Sequence, residues 1–198
     1  MTRKTVITIF DYGAGNIHSL VKALDSDDSV EIRLECDPVA AVRTDALVLP
    51  GVGAFSNATA RLSAGAQKMR EEILGGLPTL GICLGMQLLF DSSEEGEGNG
   101  LGVIPGRVRR LRATRIPQIG WNEVESLDES LPEVAYFANS YVCEPESDDC
   151  IVAYTTHERD RFASVVSVCN ATGVQFHPEK SSRAGVSFIQ GFVHGVCR

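Results

Sequence analysis

Four short, nearly continuous apolar runs rich in β-branched residues punctuate the first half of the chain, at residues 6–10, 30–34, 46–49 and 79–83. Stretches with helical character lie between and after them, at 17–24, 55–74 and 84–90. In the first, Ile17, Leu20, Val21 and Leu24 line one face at helical spacing. A strand that is apolar on both faces has to be covered on both, and helices alternating with such strands imply a parallel sheet. The second half changes character. Residues 94–102 are acidic and glycine-rich, which predicts a mobile surface loop. Strand candidates then follow at 107–111, 122–125, 135–137, 141–144, 151–155, 163–168 and 173–176, without long helical stretches between them. An amphipathic helix over 185–196 closes the chain. The expectation is an α/β fold. Residues 1–198 form a single domain, with a doubly wound, mostly parallel sheet, helices on both faces and a late antiparallel section.

Charge and cysteine usage narrow the function classes. The 198 residues carry 18 basic and 26 acidic side chains, a formal net charge of −8. That balance argues against gripping nucleic acid through its phosphates and against anionic lipid surfaces. No run approaches the about 18 apolar residues of a membrane span. The six apolar-type residues after the basic start, Thr5-Val6-Ile7-Thr8-Ile9-Phe10, are too few for a signal peptide. The six cysteines include no Cys-x-x-Cys pair, which suits a reducing, cytoplasmic setting. Cysteine and histidine are scattered with no ligand spacing, so no metal is expected.

The strongest chemical signal is Gly81-Ile82-Cys83-Leu84-Gly85, where a strand gives way to a helix. Glycines on both sides of a nucleophile at a strand–turn–helix junction form the thiol counterpart of the nucleophile elbow. They permit a strained turn where a Cβ would collide with neighbouring chain. The sulfur then stands at the carboxyl edge of the sheet, beside a helix N-terminus that favours thiolate. A lone cysteine is more often buried core; here the flanking glycines and the strand-to-helix switch favour the functional reading. The nucleophile needs a base, and the base needs a group to orient it. His177 follows an apolar strand and precedes Pro178, so it stands at a strand end. Glu179, two residues on, can point to the same side. His18, His157 and His194 lie on helical or polar stretches and read as solvated. The Leu84 amide is one candidate oxyanion donor; Gly51-Val52-Gly53, a glycine-rich loop after a buried strand, is a second candidate, although by itself it reads as an ordinary turn. Gly13-x-Gly15 lacks the rest of a dinucleotide fingerprint. Together these parts point to cysteine-dependent acyl transfer, with the acyl group left open.

Gly-x-Cys-x-Gly with Met86-Gln87, together with the late His-Pro-Glu, resembles the class I (triad) glutamine amidotransferases. Five blocks look like the glutaminase subunits of imidazole glycerol phosphate synthases: Asp11-Tyr12-Gly13-Ala14-Gly15-Asn16, Pro50-Gly51-Val52-Gly53, the elbow, Gly120-Trp121-Asn122 and the segment 173–180. That resemblance implies a Cys83, His177, Glu179 triad that hydrolyses glutamine to glutamate and ammonia through a thioester. It implies a glutamine pocket lined by Gly53, Gln87, Glu95, Ser140 and Tyr141, and no cofactor. It further implies a heterodimer with a (β/α)₈-barrel cyclase subunit, contacted through Asn16 and Trp121, which takes up the ammonia in histidine biosynthesis. Gly51-Val52 is the implied hinge of an oxyanion loop that rearranges when the partner binds nucleotide. Two positions depart from the pattern: Asn139 stands where a histidine commonly precedes Ser-Tyr, and Gln118 where a histidine often precedes the hydrophobic residue. The competing expectations are a glutaminase subunit of another synthase (the pyridoxal phosphate type), a stand-alone γ-glutamyl hydrolase and a silent amidotransferase-like regulator. The intact triad speaks against the regulator, and the Pro50 and Gly120 blocks speak against the other two.

Overall fold

A computed structural model describes residues 3–13, 17–25, 28–51 and 53–197. In chain order the strands are β1 (Thr5–Phe10), β2 (Val30–Glu35), β3 (Ala46–Leu49), β4 (Thr79–Ile82), β5 (Ser92–Ser93), β6 (Gly106–Arg110), β7 (Gln118–Glu123), β8 (Val134–Asn139), β9 (Tyr141–Pro145), β10 (Ile151–His157), β11 (Asp160–Val168) and β12 (Ala171–Val174). The helices are α1 (His18–Leu24), α2 (Pro38–Ala41), α3 (Phe55–Leu62), α4 (Ala66–Leu74), α5 (Leu84–Gln87) and α6 (Ser182–Val196). The main sheet runs β2-β1-β3-β4-β12-β11-β9-β6-β5, with β10 paired to β11 and with β7-β8 forming a separate ribbon. Pairing is parallel from β2 through β12, then antiparallel through β11, β9 and β6. Five parallel strands with an antiparallel extension match the expected class.

Side-chain alternation explains why the parallel half is buried on both faces. Ala46 and Val48 on β3 enter a core with Ile7, Ile9, Ile82 and the α6 residues Ile189 and Val193. Leu47 and Leu49 point the other way, into a core with Phe10, Phe55, Leu62 and Met69. Helices thus cover both sides, as an all-apolar strand requires.

Local details differ from the sequence reading for physical reasons. The helix expected over 55–74 is broken into α3 and α4 at Gly65, which packs so close to Pro38 of α2 that a Cβ would lie 2.8 Å from the proline ring. The α2 turn itself is unforeseen. Asp37 caps it by accepting from the Val39 and Ala40 amides, and Pro38 opens it. The helix after Cys83 lasts one turn, because the carbonyls of Leu88, Leu89 and Phe90 bond instead to the amides of Leu101, Ile104 and Gly102. Those same bonds pin down the far end of the acidic loop, expected to be mobile. Strand β12 ends at Val174, two residues earlier than expected, while β7 begins and ends earlier than the 122–125 segment. His157 is also not simply solvated: its Nε2 lies 2.9 Å from the Arg115 carbonyl oxygen.

Candidate active site

Two parallel strands bring the chemistry together. On β4 and β12, Ile82 is the register partner of Val174, and the Cys83 amide donates to the Val174 carbonyl at 2.7 Å. The last strand of the sheet therefore lies beside the strand of the elbow, although some ninety residues separate them in sequence. Cys83 steps off the sheet with φ of 48°, in the left-handed region that side chains other than glycine's rarely occupy. The surroundings leave no alternative to glycine on either side. A Cβ on Gly81 would lie 2.7 Å from the Gly85 carbonyl oxygen, and one on Gly85 would overlap the Leu49 carbonyl. The elbow is thus wedged against β3 and held in its strained turn.

Beyond β12 the chain continues through Gln175 and Phe176 to His177. Phe176 packs edge-to-face on Phe137 of β8. The His177 amide donates to the Tyr136 carbonyl at 2.8 Å, and the buried Ser181 hydroxyl donates to the His177 carbonyl while accepting from the Tyr136 amide. Nothing in the sequence signals this strap by Ser181. It fixes the backbone of the histidine from two sides. His177 Nδ1 donates to Glu179 Oε1 at 2.8 Å, leaving Nε2 for Cys83, with which the imidazole also hydrogen-bonds.

Burial by itself pulls the His177 imidazole toward neutrality. The hydrogen bonds to Cys83 and Glu179 and their negative charge outweigh it, raising the group from 6.5 to about 9. The imidazolium is therefore the resting form at neutral pH, between a carboxylate and a sulfur. The expected contribution of a helix N-terminus to the thiolate is correspondingly small, since α5 is only one turn long. Cys143 lies nearby in the core; burial pushes its thiol well up, and it stays neutral.

The sulfur opens into a hollow of about 220 Å³ lined by Gly51, Gly53, Cys83, Leu84, Gln87, Glu95, Asn139, Ser140 and Tyr141. Every glutamine-pocket residue inferred from the sequence is in this wall. So are two of the expected oxyanion contributors, Gly51 and Leu84, while Val52 lies outside the described residues. The volume falls below the about 300–1,000 Å³ of drug-sized pockets and suits a small metabolite. Larger hollows exist, such as one of about 760 Å³ beside Arg112, Arg115 and Glu158, which is lined by no cysteine or histidine. Gly51 presses against the triad: a Cβ there would lie 2.8 Å from the Ile82 carbonyl oxygen, 2.9 Å from Cys83 Cβ and 3.1 Å from His177 Cε1. Gly53 has φ of 100°, again left-handed. Glu95 reaches the wall from the acidic loop by accepting from the Phe55 amide at the start of α3, and its burial raises its carboxyl's affinity for a proton despite that bond.

On the flank of the hollow, Asn139 and Gln118 face each other across the β7-β8 ribbon. Both are buried, and among the described residues the two Gln118 amide atoms and Asn139 Oδ1 find no hydrogen-bond partner. The two departures from the family pattern are therefore neighbours. On the ribbon's outer side Trp121 is 55% exposed, Ile119 67% and Val134 44%, with Trp121 edge-on to Tyr136. Asn16, the other expected contact, lies outside the described residues. No group of three or more histidine, cysteine or acidic side chains suited to a metal occurs among the described residues.

A thiol elbow, a carboxylate-held imidazole and a small polar pocket at the carboxyl edge of a doubly wound sheet coincide with a family match. The chain belongs to the class I glutamine amidotransferases, whose sequence profile covers residues 8–195. Among curated proteins it is similar to imidazole glycerol phosphate synthase subunit HisH of Synechocystis sp., at 40% identity over 96% of both chains. The same-named subunit of Methanothermobacter thermautotrophicus is 40% identical over 95% of this chain and 98% of its own. That of Microcystis aeruginosa is 38% identical over 97% of this chain and 96% of its own. Among solved structures, a glutamine amidotransferase superposes with a TM-score of 0.73 at 17% identity, covering 97% of this chain and 99% of its own. Another, from Thermotoga maritima, gives 0.66 at 18% identity, over 98% and 84%. At such identities these two speak for the fold alone.

Proposed function

We infer that this protein is the glutaminase subunit of an imidazole glycerol phosphate synthase and supplies ammonia for histidine biosynthesis. The observation that carries the reading is identity of 38–40% along nearly the whole length of the curated subunits. The intact Cys83, His177 and Glu179 constellation around a small pocket supports it.

In the proposed reaction the Cys83 sulfur attacks the side-chain carboxamide carbon of glutamine. The tetrahedral oxyanion is met by the Leu84 amide and by the backbone of the Gly51-Val52 loop, each such donor contributing about 10²–10³-fold. His177 gives its Nε2 proton to the departing nitrogen, the C–N bond breaks, and ammonia leaves a glutamyl thioester on Cys83. Water then adds, losing a proton to His177, and glutamate departs as the sulfur is restored. Glu179 keeps the imidazole in the orientation and protonation state both steps need; acid–base help of this kind contributes about 10²–10⁴-fold. Gln87, Ser140 and Tyr141 hold the amino acid's polar end, and Glu95 faces its ammonium group. No cofactor takes part.

The partner is a (β/α)₈-barrel cyclase subunit, seated on the face that carries Trp121. The exposed Ile119, Trp121 and Val134 support this, since such an apolar strip is unusual on an acidic surface with a formal charge of −8. Asn139 lines the glutamine hollow and its cross-strand neighbour Gln118 lines a second hollow that includes Ile119 and Trp121, a polar flank between nucleophile and partner face. The six unpaired thiols suit a cytoplasmic, reducing setting. The deciding experiment is Cys83→Ala in the complex. Glutamine-dependent synthesis disappears while ammonia-dependent synthesis by the partner continues; survival of glutamine use rejects the assignment.

A further inference from the structure

The segment that leads from β12 to the histidine also carries a side chain with no role in the mechanism above. Gln175, the first residue after β12, is fully buried. Its Nε2 donates to Cys83 Sγ at 3.5 Å, and its Oε1 accepts from Gln87 Nε2 at 3.3 Å. The second Gln87 hydrogen goes to the Tyr141 backbone carbonyl, also at 3.3 Å.

The polarity of this chain is not free. A backbone carbonyl only accepts, so the Gln87 amide has to present nitrogen toward Tyr141. That same nitrogen obliges Gln175 to turn its oxygen toward Gln87, and its NH₂ is thereby aimed at the sulfur. A carbonyl on β9 thus dictates, through two amides, that the nucleophile faces a donor.

We propose that Gln175 is a further functional residue of this site, whose amide orients the Cys83 sulfur and favours its anionic form. A neutral donor suits the role: it stabilises the anion without competing for the proton that His177 carries. It is preorganised, because its other end is tied to Gln87 in the pocket wall. A buried amide with an anionic partner makes a stronger bond than one with a neutral partner. The donor therefore favours thiolate over thiol, and it limits rotation of the side chain about its χ1. The proposal rests on the reading of Cys83 as the nucleophile.

The test uses the complex with its partner subunit, comparing wild type with Gln175→Met, which keeps length and removes both polar atoms. Alkylation of Cys83 by iodoacetamide is followed against pH, with peptide mapping to separate it from the exposed Cys36, Cys169 and Cys197. The pH midpoint for Cys83 is expected to rise by about one unit, and kcat for glutamine to fall about 10–100-fold, in line with losing a hydrogen bond to a charged group. KM changes little, and ammonia-dependent synthesis is retained. A wild-type alkylation profile with wild-type kcat overturns the proposal, as does a rise in KM alone, which makes Gln175 a mere support for Gln87. If Gln175→Met does not assemble, Gln175→Glu keeps the size and puts an acceptor on the sulfur. A higher midpoint and a deeper loss of kcat are then expected, and an unchanged profile overturns the proposal equally. Should Cys83→Ala retain glutamine turnover, it is the nucleophile assignment that has failed, not the role of Gln175.

Discussion

Replacing Glu179 with glutamine keeps the volume of the side chain and removes the charge that faces His177 Nδ1 at 2.8 Å. A buried hydrogen bond to a charged partner contributes about 1.5–3 kcal/mol, and each pH unit corresponds to about 1.36 kcal/mol. The imidazolium, lifted to about 9 against its own burial by Cys83 and Glu179, is therefore expected to fall by about 1–2 units in Glu179→Gln. In the proposed mechanism the imidazolium of His177 is the proton donor, so the alkaline limb of glutamine hydrolysis should lie near 9 in the wild type and move to about 7–8 in the variant. Stability follows with a definite sign. A histidine whose proton is held more tightly when folded contributes its full stabilisation below about 6.5 and loses it as pH rises through about 9. The variant should thus be destabilised at pH 6 and barely at pH 10. The assays are a pH series of glutamate release by the complex and urea unfolding at both pH values. An alkaline limb that stays near 9 in Glu179→Gln refutes the claim that this carboxylate holds the proton on His177.

Gly51→Ala places a methyl group against the Cys83 Cβ and the His177 ring; glutamine hydrolysis should fall about 100-fold or more, with a stability cost of about 1–3 kcal/mol from overpacking. Activity assays beside thermal unfolding check this, and near-wild-type turnover contradicts the crowding argument. Asp160→Asn tests a separate structural pair: Arg109 and Asp160, with side chains 7% and 5% exposed, bond twice at 2.7 and 2.8 Å. Loss of one partner from a buried pair costs about 3–5 kcal/mol, and the low end is expected because Glu144 still bonds Arg109 at 3.0 Å. A denaturation midpoint close to wild type would show the pair to be dispensable.

How far the site could be read in advance depends on how local its determinants are. The elbow was legible because its pattern is compact and its first glycine is excluded from bearing a Cβ by the Gly85 backbone four residues on; the exclusion at Gly85 comes from Leu49 of β3 and is not local. The pairing of His177 with Glu179 was legible for the same reason, two residues apart on extended chain. Gln175 was not, because an amide in a β-strand pattern has no local mark distinguishing a buried ligand of sulfur from any other inward residue. Ser181 was missed likewise, since its two partners come from β8 and from the backbone of His177. The break at Gly65 and the one-turn α5 depend on contacts with Pro38 and with 101–104, which helical periodicity does not register.

The amino-acid sequence alone determined the alternation of apolar strands and helices, the strained cysteine turn and the acidic net charge, since each follows from composition, neighbouring side chains and backbone sterics. The tertiary structure alone decided that β12 pairs with β4, which sets Val174 against Ile82 and so delivers His177 and Gln175 to the sulfur. Strand order is chosen by the summed burial of two cores on opposite faces of the sheet. That sum runs over residues far apart in the chain, and no short stretch of sequence contains it.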